Sequence, residues 1–530
     1  MQGDFKPPSN PIQGHPRMPL TKPTLTLLTL ALTLASCTTS TPIPSPLSPT
    51  VTSAPLPTPL SPTATSTSLP STTLTILYTA DEHGWMSGQE NGQGAAELYG
   101  LFQSEYNLGE DPSVILLSGG DNWTGPAIST WFDGESMVEV MNAMGYSASA
   151  VGNHEFDFGL DVLQARLDEA DFPYLSANLR RQSDGTIPTD LGILPYTILD
   201  VAGLQVGITG LSATYTPRVA NPTYLAELEF INYGEALSQV VPQMRQAGAQ
   251  IILLIAHACP DELEILARQV SDLGIAFMGA GHCHISYAHQ SGETAIVASP
   301  ANMAGYAFTT LSYNPTSQQV TILDLETLPN QGGQPNPEIS RIIADWQALA
   351  DAEVEIEIGY LAETIREDSQ PMQDLITESW IWAYPNADIA LTNLGGMRDD
   401  LPAGALTIAN IISVMPFNNF IIEVQLSGAQ LISVLASGRD NLAIGGMHRQ
   451  GGGWVLENTG APLDTEEIYS VLVNDYMYAG GDGYTLLAEA DPGAYQTGID
   501  WRQPVIDWIL SQASSPDSPL DAAIAILGDR

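Results

Sequence analysis

Positive charge is what this sequence lacks. Sixteen Lys and Arg stand against 60 Asp and Glu, a formal net charge of −44, and both lysines, Lys6 and Lys22, lie in the first 22 residues. Such a surface excludes binding of nucleic acid polymers by phosphate neutralisation. It also cannot steer an anionic ligand in from a distance. Any phosphate chemistry must therefore use local positive charge, from a metal ion or a placed arginine. Cysteine is scarce as well: Cys37, Cys259 and Cys283 are too few for a disulfide framework. Long apolar runs are missing. The stretch 25–34 falls short of the ~20 residues that a spanning helix needs.

That stretch suits a signal peptide instead. It follows a weakly basic start and precedes small residues and a cysteine. Met18 is the alternative start, since residues 1–17 do not look like an n-region. "LASC" (34–37) resembles a bacterial lipobox, which implies cleavage before Cys37 and a lipid on that residue. Residues 38–73 are a Ser/Thr/Pro tract, expected as an extended tether. The expectation is an exported protein, lipid-anchored outside the cytoplasm at the bacterial cell envelope.

From residue 74 apolar runs alternate with amphipathic stretches. "TLTILYT" (73–79), "SVILLS" (113–118), "SASAV" (147–151), "LQVGITGL" (204–211), "AQIILLIA" (249–256) and "GIAFMGA" (274–280) read as buried strands. Helical patterns at 159–170 and 233–247 lie between them, which argues for a layered α/β domain. The strands at 294–300, 306–314 and 319–328 are expected to close it in antiparallel fashion. A helix over 338–352, with Ile339, Ile342, Ile343, Trp346 and Leu349 on one face, is expected to bridge to a second domain. The predicted boundaries are 74–330, 331–352 for the linker and helix, 353–514, and a tail at 515–530.

Five of these strands run into polar, chemically dense residues. Asp81 and His83 follow the first, Asp121 and Asn122 the second, and "GNHEFDFG" (152–159) the third. His257 follows "IILLIA", and His282 and His284 follow "IAFMGA". Five of the chain's eight histidines lie in these loops. Carboxyl ends of strands in such a sheet share one edge, where ligands bind. Carboxylate, imidazole and amide oxygen together suit Mn, Fe, Zn or mixed divalent sites. Seven candidate ligands exceed the needs of one ion, and paired ions serve hydrolysis of phosphate esters.

"TADEHGW", "SGGDNW", "GNHEFDFG", the histidine after "IILLIA" and "GAGHCH" resemble the five motifs of calcineurin-like metallophosphatases. "NLGGMRDDLPAG" (393–404), "MPFNNFIIEVQLSG" (415–428) and "VNDYMYAGGDGY" (473–484) resemble the C-terminal domain of the 5′-nucleotidase family. The resemblance covers residues 74–514. It implies a metallophosphatase α/β sandwich plus an α+β substrate-binding domain joined by a helix.

It also implies roles. Asp81, His83 and His284 would hold one divalent ion, Asn153, His257 and His282 a second, and Asp121 would bridge them. The ions could be Mn, Zn, Fe, Co or Mg. His154 would be the catalytic histidine, oriented by Asp157, and Glu155 reads as structural. A metal-bound hydroxide would attack the phosphorus of a small nucleotide. Arg398, with Asn393 and the flexible Gly396 nearby, would grip phosphate or ribose. Tyr476 would stack on a base and Asp482 would contact the ribose. A second ring is expected from 441–450, where Ile444 stands in the aromatic's place and His448 or Arg449 offers a planar group. The leading reading is a nucleoside 5′-phosphate hydrolase. Alternatives on the same scaffold are a nucleoside-diphosphate-sugar hydrolase, a 2′,3′-cyclic phosphodiesterase and a thiosulfate-ester hydrolase. A non-catalytic binding lipoprotein is the alternative of another class. Oligomeric state is not legible.

Cys259 and Cys283 flank the expected ligands. They are expected as separate buried thiols, because strand alternation aims Cys283 away from the ligand face and Pro260 restricts Cys259. A disulfide and metal ligation remain open.

Overall fold

The computed structural model describes residues 71–89, 93–438 and 441–527. The expected signal peptide, Cys37 and nearly all of the expected tether lie outside the described residues. Two sheets face one another in the first half of the described chain. One has seven strands, in the order 319–329, 305–314, 72–79, 114–118, 148–150, 174–175 and 193–194. The other has six, in the order 287–291, 294–298, 275–280, 251–256, 204–211 and 196–201.

The central strands, Thr72–Thr79 with Val114–Ser118 and Leu204–Leu211 with Ile251–Ala256 and Ile275–Ala280, run parallel. Parallel strands are covered on both faces, so they read as continuous apolar runs. The burial bears this out. Leu74, Ile76 and Tyr78 pack between the sheets against Ile208, Leu253 and Phe277. Leu77 and Leu116 point instead to the outer layer, against Phe102 and Met141 of flanking helices.

One expectation fails in part. The strand Thr294–Ala298 pairs parallel with Ile275–Ala280 and antiparallel only with Tyr287–Ser291. That last strand, "YAHQS", is largely exposed and polar, so no apolar run marks it. A short hairpin through it turns the chain round before it re-enters the sheet.

The bridging helix spans Pro337–Val354, capped by the Asn336 side chain. Ile339, Ile342, Ala350 and Val354 are its buried residues, while Leu349 is 50% exposed. Three turns of about 3.6 residues from the buried Ile339 end at Ala350 rather than at its neighbour. Beyond the helix lies a five-stranded mixed sheet in the order 442–445, 389–393, 468–474, 420–427 and 495–500. Helices Gly428–Gly438 and Gln370–Ala383 pack beside it.

Candidate active site

The ligand-type residues leave the strand ends on loops that are laced together. The amide of Asp81 donates to the Gly120 carbonyl at 2.9 Å, His83 to Asp121 at 3.0 Å and Gly84 to Asn122 at 2.7 Å. Two fully buried glutamates tie these loops down. Glu155 accepts the amides of Asp121, Asn122 and Gly152 at 2.9, 2.7 and 2.6 Å. Glu82 accepts the Asn122 side-chain amide at 2.6 Å and the Ser118 hydroxyl at 2.9 Å. Glu155 thus spends its carboxylate on backbone. Glu82, which sequence reasoning passed over, locks the Asp81–His83 turn from inside.

Asp81, His83 and His284 each offer a donor atom, and these lie within 4.8 Å of one another. Asp121, His257 and His282 form a second such group. Asn153 joins the second group, with Oδ1 3.1 Å from His257 Nε2 and 3.0 Å from His282 Nδ1. Asp121 stands between the groups: it also clusters with His83 and His154, and its Oδ2 is 2.9 Å from His257 Nε2.

The side chains fit divalent ions. His83 Nδ1 lies 3.1 Å from the Thr124 carbonyl, to which it donates, so its Nε2 lone pair faces His284 Nε2 at 3.0 Å. Burial and the Arg398 charge hold His83 well below the usual imidazole range, and push His284 down to about 4. With both imidazoles neutral, the His83 Nε2 lone pair is free to serve a cation held with His284 and Asp81. The second group carries the opposite signature. Burial pulls His257 down, but the Asp121 carboxylate raises it to about 10. In the first group, burial, chiefly, lifts Asp81 to about 7. A buried acid cluster that draws a proton onto histidine is one that a divalent ion can neutralise instead.

The backbone is strained where these ligands sit. Asp81, His83, Asp121, His282 and His284 have φ of 56, 47, 58, 72 and 53°, all in the left-handed region. Each costs of order 1–3 kcal/mol and persists only where the surroundings overdetermine it.

Above the clusters lies a cavity of about 300 Å³. Its floor includes Asp121, Asn153, His154, Asp157, His282 and His284, and its far wall includes Asn393, Gly396, Arg398, Tyr476 and Asp482. Asp81, His83 and His257 lie buried beneath. His154 Nδ1 is 2.6 Å from Asp157 Oδ2, which also accepts the Thr124 hydroxyl at 2.7 Å. Burial lowers His154, but the Asp157 and Asp121 charges outweigh it and raise the group above its ordinary value.

The far wall has its own logic. The Tyr476 hydroxyl sits 2.8 Å from both Asp482 Oδ1 and the Arg218 carbonyl. Asn393 donates to Asp482 at 3.2 Å and accepts from Asn474 at 2.9 Å. A Cβ on Gly396 would come within 2.9 Å of the Trp501 ring, so packing as well as ligand access restricts that position. The expected second ring does not come from 441–450. Ile444 packs on the C-terminal core, His448 faces Glu457 at 3.5 Å, and Arg449 lies over Trp454 at 4.9 Å. The aromatics that line the cavity besides Tyr476 are Tyr224 and Phe417, the latter stacked at 5.7 Å and 22° from His154. Its signal was the ring in "MPFNNF", set between a helix and a strand. Asn221, Asn418, Asn419 and Asn441 complete an amide-rich rim that sequence reasoning did not single out.

The cysteine expectation is overturned: Cys259 and Cys283 form a disulfide, with Cα atoms 5.3 Å apart. Alternation does aim Cys283 away from the ligands, but the adjacent parallel strand puts Cys259 on that side. The Gly281 amide bonds the Ala258 carbonyl at 3.1 Å and holds the two loops together. Pro260 opens the helix Pro260–Gln269, which fixes Cys259 as its extended cap rather than keeping it from pairing. Disulfides persist in oxidising compartments, which fits an extracytoplasmic protein.

Comparison with known proteins agrees with this arrangement. The family "5′-nucleotidase, C-terminal domain" matches residues 350–489. "Silent protein UshA(0)" of Salmonella typhimurium is 26% identical over 524 residues, covering 85% of this chain and 92% of that protein. The 5′-nucleotidase of Bos taurus is 26% identical over 444 residues, covering 72% of this chain and 76% of that protein. The crystal structure of the 5′-nucleotidase precursor from Thermus thermophilus superimposes with a TM-score of 0.72 at 23% identity, over 84% of this chain and 97% of that one. The chain has the two-domain α/β build of these 5′-nucleotidases, an N-terminal sandwich followed by a C-terminal domain that matches the 5′-nucleotidase C-terminal family over residues 350–489.

Proposed function

We propose that the protein removes phosphate from nucleoside 5′-phosphates outside the cytoplasm, with two divalent ions held by Asp81, His83, His284, Asn153, His257, His282 and the shared Asp121. One observation carries this reading. A single cavity has the His154–Asp157 pair and four of the seven proposed ligands, Asp121, Asn153, His282 and His284, on its floor, and Arg398, Phe417, Tyr476 and Asp482 on its walls. The bound ions supply Lewis acidity and a water of lowered pKa. The chain's own residues do the rest. Asp157 holds the Nδ1 proton of His154, which turns Nε2 toward the cavity as a donor to phosphoryl oxygen. Arg398 adds the local positive charge that the acidic surface withholds. Phosphate release from a panel of AMP, UDP-glucose, 2′,3′-cyclic nucleotides and thiosulfate esters tests the reading. AMP should be turned over fastest, and a preference for any other member would replace the proposed substrate.

Tyr476 and Phe417 would grip the base. Tyr476→Ala should weaken AMP turnover by ~1–3 kcal/mol, the range for a base stacked on an aromatic ring. Turnover of p-nitrophenyl phosphate, which has no base, should fall less. Equal losses on both would indicate a folding defect instead.

The lipid anchor belongs to the same proposal. "LASC" supports lipidation of Cys37, and stable attachment would then rest on lipid alone. Cys37→Ala should move the protein from the membrane to the soluble fraction with its activity intact. A variant that stays on the membrane would refute the anchor.

A further inference from the structure

We propose that the Cys259–Cys283 disulfide is a thiol-exchange site that controls metal occupancy; the proposal rests on the metal reading above. The bond does not staple the core. It joins the residue two positions after His257 to the residue between His282 and His284, and so ties together loops that carry three of the proposed ligands. These loops leave neighbouring parallel strands, Ile251–Ala256 and Ile275–Ala280, beyond the point where the sheet ladder ends.

The turn it restrains is poorly held otherwise. His282 and His284 both take left-handed φ, 72 and 53°, which non-glycine residues leave when free to do so. Residues 283–286 are exposed. Backbone bonds reach as far as Cys283, through Gly281 to Ala258 at 3.1 Å, His282 to Asp81 Oδ1 at 2.8 Å and Cys283 to Gly281 at 2.8 Å. His284, 41% exposed in its side chain, follows immediately and meets His83 and Asp81 only through its ring.

The disulfide is also within reach. Cys283 is exposed and Cys259 half-buried. Both line a surface groove of about 390 Å³ with Pro260, Ile265, Ile285 and Tyr287, and this groove shares no residue with the substrate cavity. A reductant can therefore approach without competing with substrate. A dithiol attacks one sulfur, the Cys–Cys bond breaks through a mixed disulfide, and the second thiol of the reductant closes on the first. The protein gains two thiols and the reductant becomes a disulfide. The His282–His284 turn then loses its covalent restraint, and the Asp81–His83–His284 position gives up its ion first.

The test uses the intact protein loaded with two equivalents of Mn. A phosphine reductant replaces the dithiol, because it does not compete for metal through thiolates: it takes up the oxygen of water as the phosphine oxide and leaves two cysteine thiols. After exchange into metal-free buffer, thiols, bound Mn and phosphate release are measured on oxidised and reduced samples. The expected result is two new thiols without denaturant, Mn falling from two equivalents toward one, and an affinity loss of ~10–100-fold, as when groups that orient a ligand are removed. Reoxidation with added Mn should restore both metal and activity. The double variant C259S/C283S, checked for fold by circular dichroism, should bind Mn as weakly as the reduced protein and ignore the phosphine. Reduced protein that keeps both ions would overturn the proposal, as would failure of the thiols to appear in native protein. Oxidised protein that binds no Mn would overturn the metal reading itself, and this proposal with it.

Discussion

Replacing Asp121 with alanine should strip the protein of both divalent ions. The carboxylate stands between the two ligand groups, 2.9 Å from His257 Nε2, and its other oxygen accepts the His154 amide at 2.8 Å. Its charge is held well below the usual carboxylate range: burial works against ionisation, but His257 and His154 prevail. The substitution removes the shared ligand and leaves His257 buried without its main partner. Metal content should drop below one equivalent, and turnover should fall by at least ~10³-fold, more than the loss of one stabilising donor. Elemental analysis of the purified variant is the measurement. Two tightly bound ions in Asp121→Ala would break the bimetallic account at its centre.

His154→Ala should separate chemistry from metal binding. His154 approaches Asp121 Oδ2 only to 3.9 Å and is bonded to Asp157 instead. Turnover should fall ~10²–10⁴-fold, the range for a positioned acid–base group, with both ions retained. Loss of an ion in this variant would make His154 a ligand rather than a proton donor. Its titration offers a second readout. The Asp157 and Asp121 charges raise His154 above 6.5 against the effect of burial. In metal-free protein the His154 imidazole should therefore stay protonated to higher pH than a free histidine, as read by NMR titration. Asp157→Asn removes one of those charges, so that titration should move to lower pH.

The strand ends that carry the proposed ligands were legible because buried parallel strands announce themselves. A run such as "IILLIA" has no polar face, so the first polar residue after it marks the sheet edge. Asp81, His83, Asp121, Asn153, His257, His282 and His284 were found that way. What escaped is what depends on neighbours distant in sequence. The disulfide needs two loops 24 residues apart to meet side by side, and nothing local in "HACP" or "GHCH" records the parallel pairing that brings them together. Phe417 looks like any aromatic before a strand until the bridging helix and the first domain's loops place His154 under it. The strand Tyr287–Ser291 carries no apolar pattern because it is an exposed edge. Leu349 was assigned inward by a repeat that drifts by one residue over three turns.

The left-handed ligands add a physical point. Five proposed ligand residues lie in a backbone region that side chains avoid, and none of them is glycine. The buried Glu82 and Glu155, which accept from the Asp121 loop, and the exposed disulfide are the restraints that hold that strain. The site is thus kept in a ligand-ready shape by groups that never touch substrate.

The central claim is a two-ion phosphohydrolase acting on nucleoside 5′-phosphates, and one titration tests it most directly. Metal-stripped protein is titrated with Mn while phosphate release from AMP is followed. The account predicts no turnover without metal and a rise that levels off at two equivalents per chain. Turnover by the stripped protein, saturation at a single equivalent, or no release from AMP at any loading would contradict it.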